Sequence, residues 1–396
     1  MPALARAPRV LAAATALAIA VAATHPPVAR AADCTVTQTG MIPLTELGAG
    51  THKGEPGGLY PGGLNAPPPA HHASALAAAA HVVPRDAAGG PDGAGKIVLL
   101  SVGMSNTTQE FSAFVRTVGR DPRVSPRLSV VDGAQGGQTA ADIRDPSARF
   151  WTVVDQRLGA AGATPDQVQA IWLKEANRQP GADRNPDTLL AARRLADDLE
   201  GVVAVARERF PNLALVYLSS RIYAGYASTA LNPEPYAYES ALAVRWLIER
   251  QMGGAPELDP AAGAPVLLWG PYLWADGLTP RADGLTWACT DLQQDGTHPS
   301  DSGRAKVAEM LMGFFAGDDT SAGWFLADPG APEPTPAMPS ATASASATME
   351  PQPSATEGER PSPTATSGTP GLENTPTPRG TASVGRYRVW FPWGAR

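Results

Sequence analysis

Between residues 95 and 326, five short apolar runs alternate with stretches patterned as helices, and this alternation limits the chain to one fold class. The runs are Ile97–Val102, Leu128–Val131, Val168–Leu173, Leu213–Leu218 and Pro265–Trp269. They are mostly apolar rather than apolar at every second residue, as strands buried on both faces are. The stretches between and after them are Thr107–Val118, Thr139–Leu158, Asp187–Phe210, Glu239–Met252 and Ser300–Phe315. Phe111, Phe114 and Val115 recur at helical spacing, as do Val307, Met310, Leu311 and Phe314. Strand–helix alternation predicts a three-layer α/β/α sandwich around a five-stranded parallel sheet, in a flavodoxin-like order with right-handed crossovers. Ligands of such sheets bind beyond the carboxyl ends of the strands. Ser105 follows the first run, Gly137 the second and Asn177 the third.

The flanks are different material. Arg6 and Arg9, the apolar run Val10–Ala23 and the small-x-small triplet Ala29-Arg30-Ala31 predict a secretory signal peptide over 1–31. The run is short for an uncleaved anchor, and no later segment is long and apolar enough to span a bilayer. Asp33 before Cys34, with no Leu at the expected place, does not fit a lipoprotein acceptor. Residues 32–94 read as a Gly/Pro-rich arm. Gly57–Gly63 and Pro67–Pro69 predict turns and extended chain there, not helix or sheet, and His71 and His72 read as solvated loop histidines with no third ligand at metal spacing. Residues 327–384 form a Pro/Ser/Thr-rich linker with too few apolar residues for a core, so disorder is expected. Residues 385–396 turn aromatic again, Tyr387 to Trp393, which suits a cell-surface attachment tag as well as a tail without a role.

A net charge of −7 with no basic patch excludes nucleic acid as a partner class. A monomer, secreted or surface-associated, is expected. Cys34 and Cys289 are the two cysteines, and in an oxidising compartment they can pair in one way within the chain; two free buried thiols are the alternative. A Cys34–Cys289 disulfide would tie the mature N-terminus to the loop carrying Asp295 and His298.

Four short blocks carry possible chemistry. Gly103-Met104-Ser105-Asn106 puts a serine at a strand-to-helix turn, where its own N–H favours negative charge on a bound oxygen. Asp295-Gly296-Thr297-His298 puts a carboxylate and an imidazole three positions apart, able to converge on one point. Glycine after the second strand exposes a backbone N–H, and the Asn177 amide after the third offers another donor. Each block has a plainer reading: a helix cap for Ser105, local capping for Asp295 and His298, a simple turn for the glycines. Tyr223, Tyr226, Tyr272, Trp274 and Trp287 are placed near the predicted mouth; singly they read as packing, and as a group they lean toward a glycan substrate.

Taken in order, the four blocks resemble the SGNH/GDSL hydrolase superfamily. The resemblance covers about 95–316. It implies Ser105 as nucleophile, His298 as base, Asp295 as its orienting acid, and an oxyanion hole from Ser105 N–H, Gly137 N–H and the Asn177 side chain. Gly136 is the alternative to Gly137, which is favoured because Gln138-Thr139 follow it. The family's usual Gly-Asp-Ser is Gly103-Met104-Ser105 here, and its Gly-x-Asn-Asp is Glu175-Ala176-Asn177-Arg178. The G-x-S-N and E-x-N blocks, with Trp172, are closer to the branch of carbohydrate esterases similar to sialate O-acetylesterases. The resemblance implies hydrolysis of an ester, an O-acetyl group on a glycan, without metal or organic cofactor. A lipase- or thioesterase-like activity and a non-catalytic glycan-binding surface protein are the rival readings.

Overall fold

The computed structural model describes residues 31–183 and 188–327. The expected signal peptide up to residue 30, the linker beyond 327 and the aromatic tail lie outside them. The sheet has five parallel strands: β3 (Ile97–Gly103), β4 (Leu128–Asp132), β5 (Val168–Lys174), β6 (Leu215–Leu218) and β7 (Val266–Trp269). Their order is β4-β3-β5-β6-β7, the flavodoxin-like order expected from the runs. Every residue of β3 and β5 is buried, which is why these runs lack a polar alternation. Helices cover the sheet: α2 (Ser105–Val118), α3 (Ala140–Ile143), α4 (Arg149–Ala160), α5 (Leu190–Arg209), α6 (Tyr236–Met252), α7 (Asp301–Gly317) and α8 (Ala322–Phe325).

Three local departures have plain causes. The single helix expected over 139–158 is two, α3 and α4, because Pro146 cannot continue a helix and Asp145 caps the turn through Ser147 N–H at 2.8 Å. Helix α7 buries Val307, Ala308, Leu311, Met312 and Phe315, so the buried stripe is rotated and leaves Met310 and Phe314 at its margin. The arm is more ordered than its glycines and prolines suggest. It holds a short hairpin, β1 (Thr51–His52) with β2 (Glu55–Pro56), and a helix α1 (Pro69–Ala79) that Pro69 can open because it needs no N–H there.

The arm also contributes to the core. Leu44, Leu59, Tyr60, Ala75 and Val82 are buried in the same cluster as the sheet residues. His71 is not a solvated loop residue: it sits buried on α1, its Nε2 2.8 Å from the Leu267 carbonyl. His72 faces Asp319 at 3.0 Å. Nearer the N-terminus, Asp276 accepts from Thr39 N–H at 2.7 Å and Gly40 N–H at 2.8 Å, and Cys34 is disulfide-bonded to Cys289, with Cα atoms 5.4 Å apart. Ala32 N–H donates to the Gln294 carbonyl at 2.5 Å, so the arm lies against the residue next to Asp295.

Candidate active site

Ser105 opens α2 directly after β3, so its N–H belongs to the unsatisfied first turn of the helix. The turn is tight. A Cβ on Gly103 would stand 2.3 Å from the Lys174 carbonyl oxygen and 2.4 Å from Thr107 Oγ1, which leaves room for glycine alone. From this corner the Ser105 hydroxyl reaches His298 Nε2 at 2.8 Å. On the other side of the ring, Nδ1 lies 2.5 Å from Asp295 Oδ2. The second carboxylate oxygen accepts from the backbone N–H groups of Thr297 and His298, each at 3.0 Å. Burial acts to raise the Asp295 carboxyl, but the hydrogen bonds from the His298 ring and the two N–H groups outweigh it and hold it at about 2. An ionised Asp295 fixes Nδ1 as the protonated nitrogen, leaving Nε2 free to accept the serine proton.

The loop that carries this pair is held from three directions. Gly296 has φ +66°, and a Cβ there would lie 2.1 Å from the Tyr226 carbonyl. Gln293 N–H donates to the His298 carbonyl at 2.8 Å, closing the loop on itself. Asn106, buried beside the serine, donates its amide to the Thr297 carbonyl at 2.9 Å. Asn106 stitches the helix that Ser105 opens to the loop that carries His298, a tie the sequence reading did not assign; the residue stood in the quoted block, but its partner is 191 positions away.

The loop after β4 brings two glycines to the same mouth. Gln135 to Gln138 form a turn, and Gly137, at φ +75° and exposed, takes its left-handed position. A Cβ on Gly136 would be 3.8 Å from Ser105 Cβ, so this turn borders the serine. Arg178 reaches across from the end of β5 and donates to the Gly137 carbonyl at 2.8 Å. Asn177 is engaged on both ends of its amide. Its Oδ1 accepts from Ala141 N–H at 3.0 Å, and its Nδ2 donates to Asp198 Oδ2 at 2.6 Å. An amide nitrogen has two protons, so one remains beyond the bond to Asp198. Asp198, on α5, also pairs with Arg144 at 2.6 Å.

The five aromatics placed at the mouth are not there. Tyr223, Tyr226, Trp274 and Trp287 are fully buried and Tyr272 is 5% exposed. Their polar atoms are bonded inside the protein: Tyr226 Oη donates to the Trp287 carbonyl and Trp287 Nε1 to the Leu273 carbonyl, both at 2.9 Å, and Trp274 Nε1 to Glu234 at 2.8 Å. They are packed inside the protein, Tyr226 against Gly296, and offer no face to a sugar ring. Among the described residues, no group of His, Cys, Asp and Glu is arranged to hold a metal ion, and no helix is long and apolar enough to cross a membrane.

No family model matches this sequence, and no curated protein does. Solved structures do match. The lipase Lip_vut3 from a goat rumen metagenome is 15% identical, over 57% of this chain and 100% of that one, with a TM-score of 0.32. LAE5, an alpha/beta hydrolase from the metagenome of Lake Arreo, is 14% identical over 57% and 95%, with a TM-score of 0.33. The extracellular lipase of Streptomyces rimosus is 11% identical over 55% and 99%, with a TM-score of 0.29. The chemistry below is argued from the geometry of this chain.

Proposed function

We propose that this protein is a serine ester hydrolase of the SGNH type that works through an acyl-serine intermediate. One observation carries the reading: Ser105 Oγ, the His298 ring and the Asp295 carboxylate form a continuous hydrogen-bonded line with contacts of 2.8 and 2.5 Å. Ser105 Oγ attacks the ester carbonyl as its proton passes to His298 Nε2. Asp295 accepts from Nδ1–H and stabilises the imidazolium. The oxyanion is received by Ser105 N–H, Gly137 N–H and the remaining Asn177 amide proton, each such donor contributing about 3 kcal/mol at the transition state. His298 then protonates the leaving alcohol. Water, deprotonated by the same nitrogen, attacks the acyl carbon, and the acid departs as Ser105 recovers its proton.

The finer reading, an O-acetyl ester on a carbohydrate, is supported by the G-x-S-N and E-x-N blocks; the buried aromatics lend it nothing. Export from the cell is supported by the Cys34–Cys289 bond, which belongs to an oxidising compartment. A purely glycan-binding role is disfavoured because a binding module has no use for a hydrogen-bonded Ser–His–Asp line. Hydrolysis of p-nitrophenyl esters of increasing chain length tests the proposal. Turnover of the acetate that disappears in Ser105→Ala supports a short-chain esterase. A steep preference for long acyl chains would favour a lipase-like enzyme, and turnover surviving in Ser105→Ala would remove the nucleophile.

A further inference from the structure

Just past the ends of β5 and β6, four buried polar atoms have no hydrogen-bond partner: Glu175 Oε1, Ser220 Oγ, and Arg221 Nε and Nη2. Buried polar atoms are nearly always satisfied, so four within three residues call for an occupant. The three residues are neighbours. Leu173 pairs with Leu218 in register and Ser219 N–H donates to the Leu173 carbonyl at 3.0 Å, so Glu175 and Ser220 leave the sheet from adjacent strands, with Arg221 next in the chain. Glu175 and Arg221 each act on the other's ionisation. The cluster also borders the proposed site. Gly103 is level with Lys174, so Met104 continues the row, and Arg221 Nη1 stands 3.8 Å from Met104 Sδ, one residue from the nucleophile.

The free atoms have a chemistry. Nε and Nη2 form the side edge of the guanidinium, a rigid two-donor fork that matches a carboxylate. Arg221 is 2% exposed, and a buried guanidinium without a counter-charge is costly. Glu110, Glu234, Glu175 and Asp295 act on its charge from a distance, but none bonds Nε or Nη2. Glu110 is taken by Lys174 Nζ at 2.7 and 2.5 Å. Glu234 accepts from Trp274 Nε1, Ala224 N–H and Tyr238 N–H. Asp295 is committed to His298 and the loop N–H groups. Glu175 is driven by burial toward its neutral form, in which its free oxygen can donate.

We propose that Arg221, with Ser220 and Glu175 beside it, is a carboxylate-binding subsite behind the nucleophile, so that the ester hydrolysed here carries a carboxylate near its scissile carbonyl. The substrate class rests on the esterase reading above. The sheet order puts Gly137, after β4, and Arg221, after β6, on opposite sides of the β3–β5 pair that carries Ser105 and Asn177. A substrate whose carbonyl oxygen faces the Gly137 side therefore extends toward the guanidinium. Met104 is the entry: its side chain is partly exposed, lies against Nη1, and has the unbranched thioether that swings most readily.

Calorimetry with glutarate and its uncharged diamide, on the full-length wild type and on Arg221→Met and Ser220→Ala, tests the subsite without requiring turnover. Glutarate should bind the wild type about tenfold to hundredfold more tightly than the diamide, as charge-assisted bonds of this kind do, and the difference should vanish in Arg221→Met. If that variant does not fold, the wild-type comparison and the weaker loss in Ser220→Ala decide. Two kinetic pairs then locate the carboxylate. Preference for p-nitrophenyl hemiglutarate over the butyrate places it in the acyl chain; preference for 4-acetoxybenzoate over phenyl acetate places it in the alcohol. Equal binding of glutarate and diamide, or a wild type indifferent in both pairs, overturns the proposal. Glutarate selectivity in a protein that hydrolyses none of the four esters would keep the subsite and sink the esterase reading instead.

Discussion

The loop 293–298, which leads into α7, and the segment 175–178, which follows β5, both present polar side chains, yet their hydrogen bonds run in opposite directions. In the first, Asp295 and His298 stand three residues apart and bond each other, and the His298 ring reaches Ser105, 193 positions away. In the second they diverge: Asn177 to Asp198 and Ala141, Arg178 to Gly137, and Glu175 Oε1 to nothing. The difference teaches that the Asp295–His298 pair is built by local spacing, whereas the contacts of Asn177 and Arg178 are built by helices and loops distant in the chain. The first is one device that fails as a whole; the second is several supports that can be weakened one at a time.

The sharpest way to break the comparison is to remove members of the line. Ser105→Ala and His298→Ala should each lower kcat by about 10⁴- to 10⁶-fold, and the double variant should be scarcely worse than either, measured on p-nitrophenyl acetate. Additive losses would mean that the two do not act together. On the divergent side, Asn177→Ala should cost about 10²- to 10³-fold in kcat with KM little changed. Asp198→Ala, which frees the amide without removing it, should cost about tenfold, because a misplaced donor is weaker rather than absent. Equal losses in these two variants would show that Asn177 matters only for the fold.

Two smaller effects concern how the convergent loop is held. Replacing Cys34 and Cys289 by Ser should lower unfolding stability by about 2–5 kcal/mol in urea titration, since the bridge closes a long loop onto the catalytic segment. The pH effect follows from Asp295. Its folded value of about 2 lies below the ordinary carboxylate value, so its contribution is fully present above about pH 4 and is lost as pH falls through about 2. The stability advantage of the wild type over Asp295→Asn should therefore shrink across that window, measured by urea titration at a series of pH values.

What was legible follows the same division. The strands and their order could be read because runs such as Ile97–Val102 are buried on both faces and helical crossovers of one hand leave few topologies. The pairing of Asp295 with His298 could be read because three residues of spacing is a local property. The ties between Asn106 and Thr297, Asn177 and Asp198, and Arg178 and Gly137 could not, since each joins residues 21 to 191 positions apart by side-chain geometry alone. The aromatics were misplaced for a related reason: a Tyr or Trp near a strand end can face solvent or the core, and these five face the core. The arm misled because Pro69 reads as a breaker, although at the first position of α1 it favours the helix.

The account stands or falls on Ser105. Treating the folded, full-length protein with a fluorophosphonate and mapping the adduct by peptide mass spectrometry tests it most directly. The account predicts a single adduct on Ser105, absent in His298→Ala, with loss of p-nitrophenyl acetate turnover in proportion to labelling. A folded protein that takes no label and hydrolyses no ester, or one labelled at a different serine, would contradict it.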